Sequence, residues 1–165
     1  MRRLKLGIAS VLFLGFMIIV LPHEARQLEA VVGNTDSPDT SLFYSATSLR
    51  AMASAYGESG REAYIISRLR FDIAWPLVYG FFFYMLLSLF TGVSWVRALP
   101  WLAVGFDLLE NTFVSIVFWA YPNDVFLAHL AGFMTLFKWL SIGLSIALIA
   151  GLALFRYQQK RGGLR

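Results

Sequence analysis

Four apolar runs dominate the pattern along the chain, at approximately 6–22, 73–91, 100–120 and 126–155. A helix crosses a bilayer core with about 20 apolar residues, so each run predicts a membrane-spanning helix. The first is short but uninterrupted. The second is bounded by Asp72 and Gly92. The third is broken only by Asp107, Glu110 and Asn111. The fourth carries His129 and Lys138; at about 30 residues it must tilt or project beyond the hydrocarbon.

Between the first two runs the pattern changes. Gly33-Asn34-Thr35-Asp36-Ser37-Pro38-Asp39 is a turn cluster. After it, Leu42, Ala46, Leu49, Ala53 and Tyr56 recur at helical spacing. Gly57 is placed to end that helix as a left-handed cap. Ser59 and Glu62 match a capping box, so a second helix is expected to start near Gly60 and run into the second span. There Pro76 kinks it or marks a fresh start. The expected fold is all-α: a four-transmembrane-helix up-down bundle forming a single membrane domain, 1–165, with an extracytoplasmic helical hairpin at approximately 41–71 between spans 1 and 2. That hairpin is expected to serve either as a lid or partner-docking element, or as a cap over the outer end of the bundle.

Composition agrees with this class. Hydrophobic residues make up 58% and charged residues 15%, with mean hydropathy +0.65. A soluble domain carries about a quarter charged residues, and disorder needs far less apolar mass. With no cysteine, disulfides, zinc–thiolate sites, iron–sulfur clusters, c-type haem attachment and thiol–disulfide chemistry are excluded. No cofactor is expected.

Charge along the loops predicts orientation. Segments 1–5, 92–99 and 156–165 hold eight Lys and Arg in 23 positions, against five in the 54 positions of 23–71 and 121–125. A multi-pass protein of the cell (plasma or inner) membrane with both termini cytoplasmic is expected. The net charge of +4 then reads mainly as a topology signal. No basic–aromatic patch points to nucleic acid, and the lipid bilayer is the expected partner. Trp75, Tyr79, Trp95, Trp101, Trp119 and Tyr121 fall near span ends, as an aromatic belt requires. The first run also resembles a signal peptide, but His23-Glu24-Ala25-Arg26 is a poor cleavage site, which favours an uncleaved anchor.

The candidate chemistry lies in the third and fourth spans. Asp107, Glu110 and Asn111 share one helical face through spacings of three and four. They are expected one-third to one-half of the way across from the inner side, with Lys138 near the middle of the fourth span. The short link 121–124 makes these spans antiparallel neighbours and brings Lys138 to the depth of Glu110 within a turn. A lone charge at mid-membrane costs about 2.5–3.5 kcal/mol, so these groups should face the bundle interior. They can form an interhelical clamp, or a proton relay, ion path or polar solute pocket. Two acids against one base leave a spare carboxylate, which a pure clamp does not need. Thr135, Ser141 and Ser145 continue a polar stripe around Lys138, or bond within their own helix.

Weaker signals surround this centre. Gly143, Ala147 and Gly151 permit close helix packing, within the chain or in a homo-oligomer. Arg61, Tyr64, Arg68 and Asp72 lie on or near one face of the outer helix; with Arg70, the arginines can hold an anionic headgroup, or simply snorkel. His23, His129 and Asp124 fall at outer span ends, but no short ligand spacing supports a metal there. Soluble-enzyme fingerprints such as a Walker A loop or His-Glu-x-x-His are absent. Catalytic residues are therefore not assignable. The expected function is binding or moving a small solute or proton at the intramembrane polar site. The alternatives are a membrane enzyme acting on lipid, and a non-catalytic assembly or scaffold protein with the charges as clamps.

Overall fold

The structure, a computed structural model, describes the backbone of residues 2–162 and the side chains of 4–161; Met1, the side chains of Arg2 and Arg3, and 163–165, including Arg165 of the orientation argument, lie outside the described residues. Every regular element among the described residues is helical. In order these are α1 (Arg2–Gly15), a π-helical turn (Phe16–Val20), α2 (Leu21–Val32), a 3-10 turn (Pro38–Thr40), α3 (Ala46–Arg70), α4 (Ala74–Phe90), α5 (Ser94–Ala120) and α6 (Leu127–Gly162).

Three helical stretches are long and apolar enough to cross a membrane: Leu4–Val32, Ser94–Ala120 and Leu127–Arg161. A fourth qualifies if α3 and α4, bent by 41° at their junction, are taken together. The first stretch continues well beyond its apolar run. Pro22 has no amide hydrogen, and its ring crowds the carbonyl four residues back. The wider π turn immediately before it accommodates this without ending the helix. The helix stops at Gly33, whose φ of 68° only glycine adopts easily.

α3 begins where Ser45 Oγ accepts from the Ser48 amide at 3.1 Å. Gly57, at φ 63°, breaks its course, and Arg61 donates across the break to the Ala53 carbonyl at 3.0 Å. Pro76 marks a fresh start, because its ring crowds the carbonyl of Asp72, four residues back and inside the bend. The chain turns at Phe71–Ile73, and Pro76 sits in the first turn of α4, where a missing amide hydrogen matters least.

α5 is the central helix. Of its apolar window 44% is buried, against 6% for Leu4–Val32 and 11% for α6. It packs against α3, α4 and α6. Leu49, Ala53, Tyr56 and Tyr64 of α3 cover Val114, Val117 and Phe118 of α5 and Ala128 and Ala131 of α6. Arg50 reaches Asp124 in the α5–α6 link at 2.6 Å. The segment from Tyr44 through α3 is thus a cap clasped to one end of α5 and α6. It is drawn so close that a Cβ on Gly132 would collide with the Tyr44 carbonyl. Gly143, Ala147 and Gly151 are exposed, and a Cβ on either glycine would meet nothing within 4 Å. This chain leaves that face of α6 uncovered.

Candidate functional site

The face of α5 that carries Asp107, Glu110 and Asn111 is buried against α4 and α6. Lys138 of α6 lies 2.5 Å from Glu110 Oε2 and 3.6 Å from Asp107 Oδ1. Thr135, one turn earlier, spends its hydroxyl on the Ala131 carbonyl at 3.1 Å. Ser145 likewise donates to the Ser141 carbonyl at 2.8 Å. The stripe beyond Lys138 therefore bonds inside α6.

Two tyrosines complete the acids' surroundings. Tyr79 of α4 donates to Asp107 Oδ2 at 3.0 Å, and Tyr44, before α3, donates to Glu110 Oε1 at 3.4 Å. Burial, and then the Glu110 carboxylate, hold the Tyr44 phenol far above its ordinary range.

Tyr64, Arg68 and Asp72 of the α3 segment join this centre. Asn111 Nδ2 donates both to Asp107 Oδ1 and to the Asp72 carbonyl, each at 3.3 Å. Asp72 pairs with Arg68, one turn back on α3. Arg68 also binds Asp39 Oδ2 at 2.8 Å, and Tyr64 donates to Asp39 Oδ1 at 3.1 Å. Burial pushes the Asp72 carboxyl up to about 7, although Arg68 pulls the other way. Burial alone would lower Arg68, but Asp39, Tyr64 and Asp72 more than offset it and raise the guanidinium above its usual value. The result is one polar ladder: Asp39, Arg68, Asp72, Asn111, Asp107, Lys138 and Glu110.

The ladder runs along the helix axes. At about 1.5 Å per residue, Asp107 lies about 15 Å along α5 from Arg97, and Asp72 about 27 Å along the α4 direction from Phe90. Below Asp107, Ala103 and Val104 are buried with Tyr79 in an apolar layer.

A cavity of about 830 Å³ runs beside the ladder. Asp39, Arg68, Asp72, Asp107 and Lys138 line it, together with Phe13, Met17, Leu21, Trp75, Phe83 and Ile142. Glu24, Glu29 and Asp36 stand toward its rim. Glu110 does not line it, and neither does Thr135.

Other candidates stay apart. Arg61 lies over the Tyr121 ring, 4.7 Å from its centroid, away from the cavity. Arg70 is exposed and Arg68 is engaged by two carboxylates, so the three arginines do not gather around a headgroup. His23 contacts Gln27 at 2.9 Å, and Asp124 is taken by Arg50. Among the described residues, no three His, Asp or Glu side chains come together as metal ligands, so His23, His129 and Asp124 do not form a site.

Asp39, Tyr44 and Tyr79 escape a reading of the sequence. Asp39 reads as a turn residue and Tyr79 as part of the aromatic belt. The one available hint is that a buried tyrosine hydroxyl needs a partner. No protein-family model, no curated protein and no solved structure matches the chain.

Proposed function

We propose that this chain is a multi-pass cell-membrane protein that binds a small, amphipathic, positively charged solute in the cavity beside the ladder. Its framework is a four-span up-down bundle in a single membrane domain, with both termini cytoplasmic. The observation that carries the reading is the lining of the cavity. Six acidic residues (Glu24, Glu29, Asp36, Asp39, Asp72 and Asp107) face it against two cations, Arg68 and Lys138. Both cations are already paired with carboxylates. A concave site lined by one sign of charge concentrates the opposite sign. Much of the remaining lining (Phe13, Met17, Leu21, Trp75, Phe83 and Ile142) is apolar and aromatic, which suits the hydrocarbon part of a ligand and adds cation–π attraction. The volume of about 830 Å³ falls in the usual range of ligand pockets, about 300–1,000 Å³.

Roles divide along the ladder. Asp107 and Asp72 are the cation-facing acids. Lys138 with Glu110 is the clamp that holds α5 to α6 beside them. The apolar layer at Tyr79, Ala103 and Val104 lies one turn from Asp107 on the side away from Asp72, and a polar path through it would need those residues to part, which favours binding over passage.

The test uses two probes of like shape and opposite charge. Tetraphenylphosphonium should quench the fluorescence of Trp75 and Trp139, both on the cavity wall, saturably in detergent-solubilised protein. Tetraphenylborate should give only a linear partitioning signal. Asp107→Asn should weaken the cation's Kd about tenfold, the order of one ion–ion attraction at roughly 10 Å in a partly buried site. Equal responses to both probes, or an unchanged Kd in Asp107→Asn, would sink the proposal.

A further inference from the structure

At the opposite end of the bundle, a second cavity of about 460 Å³ lies between α1, α4, α5 and α6. Lys5, Arg97 and Arg156 line it, and no acidic residue does. Each cation comes from a different helix. Arg156 is held in place: it donates to the Leu89 and Phe90 carbonyls at 2.8 and 3.1 Å, and its guanidinium lies 5.6 Å from the Phe90 ring centroid. Two further groups are left without partners. Arg97 Nε and Ser88 Oγ are buried, and neither has a hydrogen-bond partner among the described residues. Ser88 is only 5% exposed, yet its hydroxyl does not bond back to its own helix. Buried polar groups are normally satisfied, so two orphans lining one basic cavity mark a missing acceptor.

The chemistry of that acceptor is constrained. Three positive side chains call for an anion. A guanidinium and a hydroxyl together suit tetrahedral oxygens, because phosphate offers several acceptors at once. The first amides of α5, beside Arg97, add positive potential of the same kind. We propose that this cavity holds a phosphate group, with Arg97 and Ser88 donating to its oxygens and Lys5 and Arg156 balancing its charge. The site is separate from the acid-lined cavity, and its sign of charge is the reverse. The phosphate can come from an anionic phospholipid headgroup or from a soluble phosphate compound.

The experiment measures Tm of the full chain in dodecyl maltoside micelles. One arm adds phosphatidylglycerol or phosphatidylcholine at equal mole fraction. The other adds sodium phosphate or sodium chloride at equal ionic strength. A rise of about 3 °C or more with phosphatidylglycerol over phosphatidylcholine identifies a headgroup, and the same rise with inorganic phosphate identifies a soluble ligand. In either case Ser88→Ala and Arg97→Lys should at least halve the rise. Arg70→Gln, an exposed cation at the other end, should leave it intact. No preferential rise in either arm, or a full rise retained in both Ser88→Ala and Arg97→Lys, overturns the proposal. Should a variant fail to fold, the wild-type comparison still decides, joined by native mass spectrometry counting retained phosphatidylglycerol against phosphatidylcholine.

Discussion

Lys138 sets up a stability experiment whose outcome follows from two distances. Its ammonium is 2.5 Å from Glu110 and 3.6 Å from Asp107. At equal effective dielectric, Coulomb attraction scales with inverse distance, so Glu110 couples about 1.4 times as strongly as Asp107. The acids also differ in what else holds them. Asp107 keeps Tyr79 and Asn111 as donors, whereas Glu110 has only the longer bond from Tyr44. Lys138→Met strands two carboxylates and should be the worst variant, at or above the top of the roughly 3–5 kcal/mol range for breaking a buried pair. Glu110→Gln should cost about 3 kcal/mol. Asp107→Asn, whose amide oxygen still accepts from Tyr79, should cost about 1–2 kcal/mol. The double variant Glu110→Gln/Lys138→Met should recover most of the loss, with a coupling of at least about 2 kcal/mol. Reversible unfolding in mixed micelles of dodecyl maltoside and increasing dodecyl sulfate, followed by tryptophan fluorescence, supplies the four free energies of the cycle. Single variants within about 0.5 kcal/mol of wild type, with no coupling, would refute the clamp. A larger coupling for Asp107 than for Glu110 would refute the ranking by distance.

Gly132→Ala drives a methyl group into the Tyr44 carbonyl. It should destabilise the protein by about 1–3 kcal/mol, as overpacking does, and make 38–45 more susceptible to limited proteolysis; an unchanged digestion pattern would count against the close docking. Asp72 binds its proton more tightly folded than unfolded, being raised from 3.8 to about 7 by burial with Asp39 and Asp107 nearby. Its contribution is therefore fully present below about pH 4 and is lost as pH rises to about 7. The stability difference between wild type and Asp72→Asn, measured by denaturant titration, should shift against wild type across that window, and a flat difference refutes it. Arg50→Gln removes an ion pair whose side chains are 34% and 61% exposed. Its cost should stay below about 1 kcal/mol, and a larger loss in the same unfolding assay would mean that Arg50 does more than pair with Asp124.

Much of the centre of the ladder is legible in the sequence, because it depends on local geometry. Spacing puts Asp107, Glu110 and Asn111 on one face, and a short link makes α5 and α6 neighbours, so Lys138 arrives opposite the acids. The outer half is not legible in this way. Asp39, Tyr44 and Asp72 reach the site through the break at Gly57 and the bend at Phe71–Ile73, and no periodicity encodes where a chain goes after such a break. The turn cluster reads only as a turn for the same reason. Its composition is polar whether its acids face water or Arg68.

The depth of the acids follows from a mismatch in helix length. α5 has 27 residues and α4 has 17. The excess of ten amounts to about 15 Å and falls at the end that carries Val114, Val117 and Phe118. In the sequence these residues look like lipid-facing span, and the acids therefore seem deep. In the fold, α3 buries them, and the start of α4 falls beside Asn111, where the Asp72 carbonyl accepts its amide. The apolar thickness next to the site is thus set by α4. Asp72 then stands beside the start of α4 and Asp107 about midway along it, and the ladder connects the two. The cap formed by α3 brings the acids within reach of the rim, so lengthening the α3–α4 bend by one residue should uncouple Asp72 from Asn111 while leaving the Lys138–Glu110 clamp intact. In that insertion variant the cation's Kd should weaken, with the Glu110–Lys138 coupling unchanged. Loss of the coupling as well would mean that the outer and inner halves of the ladder form one structural unit.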